Sequence, residues 1–486
     1  MKKSTKKETK KQPKNQPAKK KNNREYTNIL MIFTGIFVLM IGYLVHFQVS
    51  DSRKVINNPY NARLESFEKS VVRGDILASD GQLLAYTKVN EDGSEKRVYP
   101  FGCTFSHVLG YSEYGKTGIE QIGNFQLLRS NAYFIEKFIN ELKKDKHMGD
   151  SLVTTLDVKL QTAAHDALST RKGAVIVMEP STGNVRALIS KPDYHPGEIA
   201  SRWTEFTTSK DGILLNRAMQ GLYPPGSTFK MVTLLEYLQE HQMNTAAYQF
   251  ICDGKVPVGN SSISCYHSKK HGELDLKSAF AKSCNGAFAS MARRLDVSAF
   301  QNLTKTLLFD SDLPLEFPYS QSSFGLDTND SEAIRMMTAI GQGDTLVTPM
   351  HMAMLTSAVA NAGVLMVPRF LERTENYTGT LVEEYDTQTY GNLMTAEEAA
   401  VLQDYMEAVV EDGTASKLQS DSYSAAGKTG TAEYSSNKKK SHAWFAGYVT
   451  GEKETLAVCV VVESVGSGSD YAVPIAKKIF DAYYGE

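Results

Sequence analysis

Residues 223–230 read YPPGSTFK, and the organisation of the rest of the chain is interpreted from this stretch. A Pro-Pro-Gly turn cannot continue a helix, whereas the run from Ser227 to about Gln242 is rich in helix formers, so a helix is expected to begin at Ser227. Lys230 follows three residues later, one turn along the same face, where its amine can reach the serine oxygen. The stretch therefore predicts a nucleophile beside a possible base.

The S-x-x-K pattern alone is weakly specific, because ordinary Ser and Lys frequencies predict about two chance matches in a chain of this size. It also occurs at Ser4, Ser66, Ser169, Ser435 and Ser436. Two further motifs follow Ser227, namely Ser283-Cys284-Asn285 and Lys428-Thr429-Gly430. The order S-x-x-K, S-x-N, K-T-G is that of serine enzymes that recognise penicillin. We therefore interpret the three motifs as parts of one site.

Length and composition limit the class of protein. The 486 residues leave room for two or more domains, and a content of 42% hydrophobic and 22% charged residues is ordinary for a globular protein. A net charge of -2 gives no global attraction to nucleic acid. Since no phosphate-binding glycine loop, repeat or metal cluster stands out, we expect no cofactor, no metal and no nucleic-acid partner.

The N-terminal residues differ from the rest. Residues 1–24 hold eleven Lys or Arg against one Glu and have no aromatic residue, so residues 1–28 are predicted to be a disordered basic tail. Residues 29–47 carry no formal charge and, as a helix of about 28 Å, can cross a hydrocarbon core of about 30 Å. Positive charge stays in the cytoplasm, so the N-terminus is expected inside and residues from about 48 onward outside.

A buried core helix and a cleaved signal peptide are the alternatives to this anchor. The segment has no polar face and follows a lysine-rich tail, which argues against a core helix. Residues 45–49 (VHFQV) contain no small-x-small cleavage site, and the apolar run is longer than that of a usual signal peptide. The tail either attracts anionic lipid or a cytoplasmic partner, or only controls topology, and we favour topology control.

Residues 48–152 are too few for a large catalytic module. Turn signals separate short apolar runs, which predicts hairpins between strands such as residues 82–87 and 96–99, and hence an extended β-rich pedestal or linker. The region resembles the N-terminal part of class B penicillin-binding proteins in the stretches that begin at Arg73 (RGDI), Asp80 (DGQLLA), Arg97 (RVYP), Leu109 (LGY) and Gly118 (GIE). Class A relatives carry a glycosyltransferase domain for which there is no room here. The resemblance therefore implies a separate partner glycosyltransferase.

Residues 153–486 are interpreted as a transpeptidase domain. Strands are predicted at residues 173–178 and 185–189, joined by a turn, and again at 427–434, 443–449 and 455–464. Helices are predicted at residues 158–168 and 473–484, with a mostly helical stretch around the serine. This order predicts an α+β architecture, with an antiparallel five-stranded sheet flanked by helices plus a helical subdomain. The resemblance implies the penicillin-binding transpeptidase fold.

The resemblance also implies the role of each motif residue. Ser227 attacks the carbonyl between two D-alanines, and its backbone N–H together with that of Thr431 forms the oxyanion hole. Lys230 can accept the serine proton only if neutral, which burial and a second cation, Lys428, would favour. Ser283 relays a proton to the leaving amine, and Asn285 holds Lys230 or a substrate amide.

Thr429, Gly430 and Thr431 are expected on a strand at the edge of the cleft, where a bound peptide can add as a further strand. Lys428 and the threonine hydroxyls would hold the substrate's terminal carboxylate, and Gly430 would leave room for the peptide. No dedicated glutamate base for deacylation is recognised. The acyl-enzyme should therefore persist until an amine attacks, and β-lactams should inhibit for long times.

Cys252 and Cys265 raise two further alternatives. Outside the membrane they either form a disulfide or stay reduced, and the sequence leaves this open. With His267 and His271 they superficially suggest zinc, but the two thiols lie thirteen residues apart rather than as a close pair. The His271-Gly272 pair instead resembles the His-Gly that precedes the S-x-N helix in this family.

The sequence thus predicts a single-pass class B penicillin-binding protein, a D,D-transpeptidase that cross-links peptidoglycan stem peptides and is acylated by β-lactams. Three alternatives remain at this level. A D,D-carboxypeptidase would use the same chemistry, a β-lactam-sensing receptor would need an effector for which the short tail has no room, and a scaffold would lack activity.

Overall fold

A computed structural model of the chain describes residues 24–47, 70–131, 146–433 and 440–485. Most of the predicted basic tail lies outside these ranges, and so do residues 48–69 and 132–145 of the predicted pedestal. Tyr434, at the end of a predicted strand, is also outside them. The chain divides into two compact units, Met1–Asn58 and Pro59–Glu486.

The described part of the first unit is one helix, Arg24–His46, which begins five residues before the predicted anchor. Within it, Tyr26–His46 has a mean hydropathy of 2.3, and none of the most apolar window is buried inside the protein. This helix is long and apolar enough to cross a membrane, which is consistent with single-pass anchoring.

The second unit contains many short elements before and between the long ones. Its strands are β1 (Val71–Val72), β2 (Ile76–Leu77), β3 (Leu83–Val89), β4 (Glu95–Val98), β5 (His147–Met148), β6 (Ser151–Thr154), β7 (Gly173–Met178), β8 (Val185–Lys191), β9 (Phe250–Cys252), β10 (Lys255–Val258), β11 (Ser261–Ser264), β12 (Gly272–Leu274), β13 (Val364–Met366), β14 (Leu371–Glu375), β15 (Leu381–Glu384), β16 (Thr389–Asn392), β17 (Ser424–Ala432), β18 (His442–Thr450) and β19 (Leu456–Val462). Its α-helices are Ser106–Leu109, Gly118–Ile122, Asn124–Leu127, Val158–Leu168, Trp203–Thr208, Arg217–Gln220, Lys230–Glu240, Leu276–Ala281, Asn285–Ala292, Val297–Thr306, Glu332–Ala339, Pro349–Ala360, Ala396–Glu411 and Gly468–Tyr484.

The central sheet has the strand order β17-β18-β19-β7-β8, and every neighbouring pair is antiparallel. Every residue of β19 (LAVCVVV) is buried, as expected for a β-branched strand covered on both faces. The helices Pro349–Ala360 and Gly468–Tyr484 both pack against this strand. The predicted α+β fold with a five-stranded antiparallel sheet is therefore confirmed, and β17, which carries the K-T-G motif, forms one edge.

A second sheet has the order β15-β14-β6-β2-β3-β4. Its strands β14 and β15 come from the part of the chain predicted to be catalytic, and β14 pairs antiparallel with β6. The boundary expected between residues 152 and 153 falls inside β6. Because both regions contribute strands to one sheet, they share a backbone hydrogen-bond ladder rather than meeting through a linker.

Four residues of the pedestal motifs form one buried polar cluster. Arg73 Nε donates to one carboxylate oxygen of Glu120 at 2.6 Å and Arg97 Nε to the other at 2.8 Å, while the Tyr99 hydroxyl donates at 3.1 Å. Burial alone would raise the pKa of Glu120, but the two guanidinium groups outweigh it and lower the pKa to about 2. The cluster holds β4 and the helix Gly118–Ile122 against the start of the pedestal.

Candidate active site

The serine stretch folds as a tight turn followed by a helix. Gly226–Phe229 is a 3-10 turn, and the α-helix Lys230–Glu240 continues from it. The expected helix start at Ser227 is therefore nearly right, but its first turn is tighter than an α-helix. Ser227 is half-buried, whereas Lys230 is fully buried. The serine end of this turn is thus open to a ligand, and the lysine end is closed.

The Lys230 amine is held by the S-x-N motif. Its Nζ donates to the Ser283 carbonyl oxygen at 2.8 Å, to the Ser283 hydroxyl at 3.2 Å and to Asn285 Oδ1 at 2.8 Å. The described hydrogen bonds of the Lys230 amine all go to the S-x-N motif, and its contact with Ser227 stays a prediction. Burial lowers the pKa of Lys230 to about 8, so about a tenth of this amine is neutral at pH 7.

The S-x-N motif occupies a strained corner between two helices. Ser283 has a φ of 53°, in the left-handed region that a non-glycine residue rarely adopts, and its N–H donates to Phe280 O. Cys284 caps the helix Asn285–Ala292, its sulfur accepting the Ala287 N–H at 3.4 Å. Asn285 Nδ2 donates to Ser264 O at 3.0 Å, which leaves its Oδ1 directed at Lys230.

Lys428 brings a second buried amine to the site. It lies in the middle of β17, is fully buried, and its Nζ donates to Thr429 O at 3.2 Å. Its Nζ is 5.6 Å from the ring centroid of Phe280, and Lys230 Nζ is 5.5 Å from that of Phe288. Burial lowers the pKa of Lys428 well below its ordinary value, and the nearby Lys230 charge lowers it further.

The rest of the K-T-G-T segment lies along the same edge strand. Thr429 is buried and its hydroxyl lies 2.5 Å from that of Thr414. Thr431 is half-buried, and its hydroxyl accepts the Gly468 N–H at 3.4 Å. A Cβ on Gly430 would lie 3.0 Å from Pro225 O and 3.0 Å from a methyl group of Thr228. Glycine is therefore needed here for packing against the serine turn, and not only for the approach of a peptide.

Gly341 is a site residue that the sequence did not reveal. The Gly226 N–H donates to its carbonyl oxygen at 2.9 Å, and it has a φ of +74°. A Cβ on Gly341 would lie 1.9 Å from Gly226 O, while a Cβ on Gly226 would lie 2.9 Å from Thr431 O. Three backbone segments meet here with no room for a side chain, so the serine turn is fixed against β17 by close packing.

We expect Gly341→Ala to slow acylation by a β-lactam about 10- to 100-fold, because the new methyl group displaces the serine turn. The rate of covalent labelling at fixed β-lactam concentration measures this. Gly343→Ala is the matched control, since Gly343 has a φ of +91° but its nearest neighbour would be 3.7 Å from the new Cβ. Equal slowing in both variants would mean that backbone strain, rather than contact with the turn, is responsible.

The arrangement can support nucleophilic acyl transfer. It combines a half-buried hydroxyl, a buried amine whose pKa is lowered to about 8, a serine and an asparagine that orient this amine, and a second lysine on an edge strand. Fold and site together define a serine acyl-transferring enzyme.

The transpeptidase domain of penicillin binding proteins matches residues 173–481, and the dimerisation domain of penicillin binding protein A matches residues 73–152. The chain belongs to the penicillin-binding protein family, and within it to the class B D,D-transpeptidases.

Known relatives match over nearly the whole chain. The peptidoglycan D,D-transpeptidase PbpA of Mycolicibacterium smegmatis is 28% identical over 487 residues, covering 94% of this chain and 98% of that protein. The D,D-transpeptidase MrdA of Haemophilus influenzae is 28% identical over 461 residues, covering 80% of this chain and 70% of that protein. The imipenem acyl-enzyme structure of penicillin-binding protein A from Mycobacterium tuberculosis is 27% identical, with a TM-score of 0.77, covering 85% of this chain and 99% of that one. These matches confirm the family resemblance and favour the transpeptidase over the three alternatives.

Proposed function

We propose that this chain is a membrane-anchored transpeptidase that cross-links peptidoglycan stem peptides through an ester on Ser227. The observation that supports this most directly is the buried Lys230 amine, held by Ser283 and Asn285 one turn after the serine. A neutral amine in this place can take the serine proton, which a charged lysine cannot do.

In the proposed first half-reaction, Ser227 Oγ attacks the carbonyl between the two terminal D-alanines while its proton passes to Lys230 Nζ. The backbone N–H groups of Ser227 and Thr431 donate to the developing oxyanion. The C–N bond then breaks, and the departing D-alanine amine takes a proton through the Ser283 hydroxyl. In the second half-reaction an acceptor amine attacks the ester and restores the serine.

Substrate binding is assigned to the edge strand. Thr429 and Thr431 offer hydroxyls, and Lys428 offers positive potential, to the terminal carboxylate of the donor peptide. Because β17 is the outermost strand of the central sheet, a peptide can pair with its free side as a further strand. A β-lactam acylates the same serine because its ring presents a reactive amide beside a carboxylate.

We also propose where this enzyme works and with which partner. The basic residues before the apolar helix favour a cytoplasmic N-terminus, which places the catalytic part outside the membrane. Glycan chains are then made by a partner glycosyltransferase in the same membrane. The apolar helix holds the two enzymes at the same surface.

Product analysis tests the reaction. Full-length protein in detergent is given a stem pentapeptide donor, with or without a second peptide that carries an acceptor amine. We expect peptide dimers when the acceptor is present and little free D-alanine without it. Release of D-alanine at the same rate in both cases would instead identify a carboxypeptidase, and no product with persisting β-lactam labelling would contradict the proposed substrate.

A further inference from the structure

Tyr223, the first residue of the serine stretch 223–230, has no part in the proposed acyl transfer, yet it is held from several sides. It is buried, and it exchanges both backbone hydrogen bonds with Val347, at 3.1 and 2.9 Å. Its ring lies edge-on to the rings of Trp444 and His442, with centroids 6.0 and 5.3 Å away. These contacts fix the chain four residues before Ser227.

The tyrosine hydroxyl and an arginine share one carboxylate oxygen. The Tyr223 hydroxyl donates to Glu463 Oε1 at 2.8 Å, and Arg217 Nε donates to the same oxygen at 2.8 Å. The other two arms of Arg217 donate to the backbone oxygens of Gly212 and Asp211, at 2.8 and 2.6 Å. The Arg217 side chain is only 6% exposed, so breaking this arrangement would strand a buried charge. The carboxylate oxygen is therefore held at a fixed point beside the tyrosine hydroxyl.

The direction of this hydrogen bond is fixed as well. Burial raises the pKa of Tyr223, and the Glu463 charge raises it further, so the hydroxyl keeps its proton and remains the donor. A hydroxyl that donates to a carboxylate makes a stronger bond than a neutral pair does. The backbone of Glu463 is also held, because its N–H donates to Lys172 O at 2.8 Å.

The link from Tyr223 to the nucleophile contains two prolines, which makes it stiff. Pro224 O accepts the indole N–H of Trp444 at 3.1 Å, and Pro225 has a φ of -72°, close to the value that a proline ring imposes. A displacement of Tyr223 cannot be absorbed by rotation about φ at either proline. It therefore passes along the chain toward Ser227.

We propose that Tyr223 and Glu463 are positioning residues for the nucleophile. The carboxylate holds the tyrosine hydroxyl, and the two prolines transmit that position to the Ser227 hydroxyl and to its backbone N–H. Both residues act through Ser227, and neither is assigned a contact with the substrate. The inference rests on the proposed acyl transfer and adds to it a residue that follows β19, outside the three motifs.

The pair should affect the acylation step rather than binding. Attack needs the serine oxygen and the oxyanion donor in place together, and a misplacement of about 1 Å can cost about 100-fold in rate. Non-covalent binding depends instead on the edge strand β17. The expected signature is a lower rate constant for acylation with an unchanged dissociation constant for the non-covalent complex.

Two changes at Glu463 separate the position of the oxygen from its charge. Glu463→Gln keeps an acceptor oxygen at the same reach but is neutral, whereas Glu463→Asp keeps the charge and draws the oxygen back by one methylene group. We expect Glu463→Asp to slow acylation about tenfold and Glu463→Gln less than about threefold. Tyr223→Phe, which removes the hydroxyl, should slow it about 10- to 100-fold.

The measurement is rapid-quench labelling of the full-length protein in detergent, over a range of penicillin concentrations. This range separates the rate constant for acylation from the dissociation constant, which should stay within about twofold in every variant. Melting temperatures are measured alongside. If Tyr223→Phe does not fold, the two Glu463 variants carry the test.

Tyr423→Phe is the matched control. The Tyr423 hydroxyl donates to Asp481 Oδ1 at 2.7 Å, so the same type of pair is broken. Tyr423 lies just before the start of β17, five residues ahead of Lys428 and away from the serine turn. This variant should melt at a lower temperature and acylate at the wild-type rate.

Three results would overturn the positioning role. They are equal slowing in Tyr423→Phe, slowing of Glu463→Gln by as much as Glu463→Asp, and a change confined to the dissociation constant. Wild-type protein acylated at Ser227, with every variant unaffected, would refute this inference alone. Wild-type protein that is not acylated at Ser227 would refute the proposed function itself.

Discussion

Replacing Ser227 by alanine is expected to abolish covalent labelling by fluorescent penicillin. The proposed label is an ester on the Ser227 oxygen. Among the described residues of the site, no other hydroxyl is followed one turn later by a lysine whose pKa is lowered. In other serine enzymes, removing the nucleophile costs a factor of about 10⁶ in turnover. Gel fluorescence after prolonged incubation measures the loss, and mass spectrometry of the intact chain measures the missing adduct.

The fold should survive this change, because Ser227 is half-buried and its removal leaves no large cavity. An unchanged melting temperature is therefore the first control. Thr228→Ser is the second control, since it removes only a methyl group beside Ser227 and keeps the neighbouring hydroxyl that donates to Pro225 O. Labelling of Ser227→Ala at the wild-type rate would place the acyl group elsewhere and refute the assignment of the nucleophile.

Replacing Lys230 by methionine is expected to slow acylation by a factor of about 10²–10⁴, the usual contribution of a positioned acid or base. In the wild type the rate should rise with pH and level off above about 8, because only the neutral amine accepts the serine proton and burial lowers the pKa of Lys230 to about 8. Below this value each unit of pH should cost about tenfold in rate. Stopped-flow acylation rates between pH 6 and 9.5 give this profile.

Lys277→Met is the matched control, since it makes the same chemical change at a lysine whose side chain is 40% exposed and paired with Asp404. It should leave the acylation rate and its pH profile unchanged. The Lys230 charge adds to burial in lowering the pKa of Lys428, so the two buried amines are expected to titrate together and the observed midpoint to reflect both. A wild-type profile that is flat from pH 6 to 9 would exclude Lys230 as the base.

Much of the fold could be predicted because its signals are local. The runs that became β7, β18 and β19 are β-branched or aromatic and are bounded by turn residues, so their limits were predicted to within a residue or two. The helix Val158–Leu168 was predicted with the same bounds, and in the structure Asp157 caps its start. Strand β14 could not be assigned to the pedestal sheet, since its partner β6 lies more than two hundred residues earlier.

The order of the three motifs, the apolar helix and the alternation of strands and helices were determined by the sequence alone, because each rests on neighbouring residues. Only the tertiary structure decided what Lys230 contacts, why Gly341 must lack a side chain, and that Cys284 joins two other thiols and a histidine. These are contacts between segments far apart in the chain. They depend on how the helical part packs against β17, and no local propensity encodes that packing.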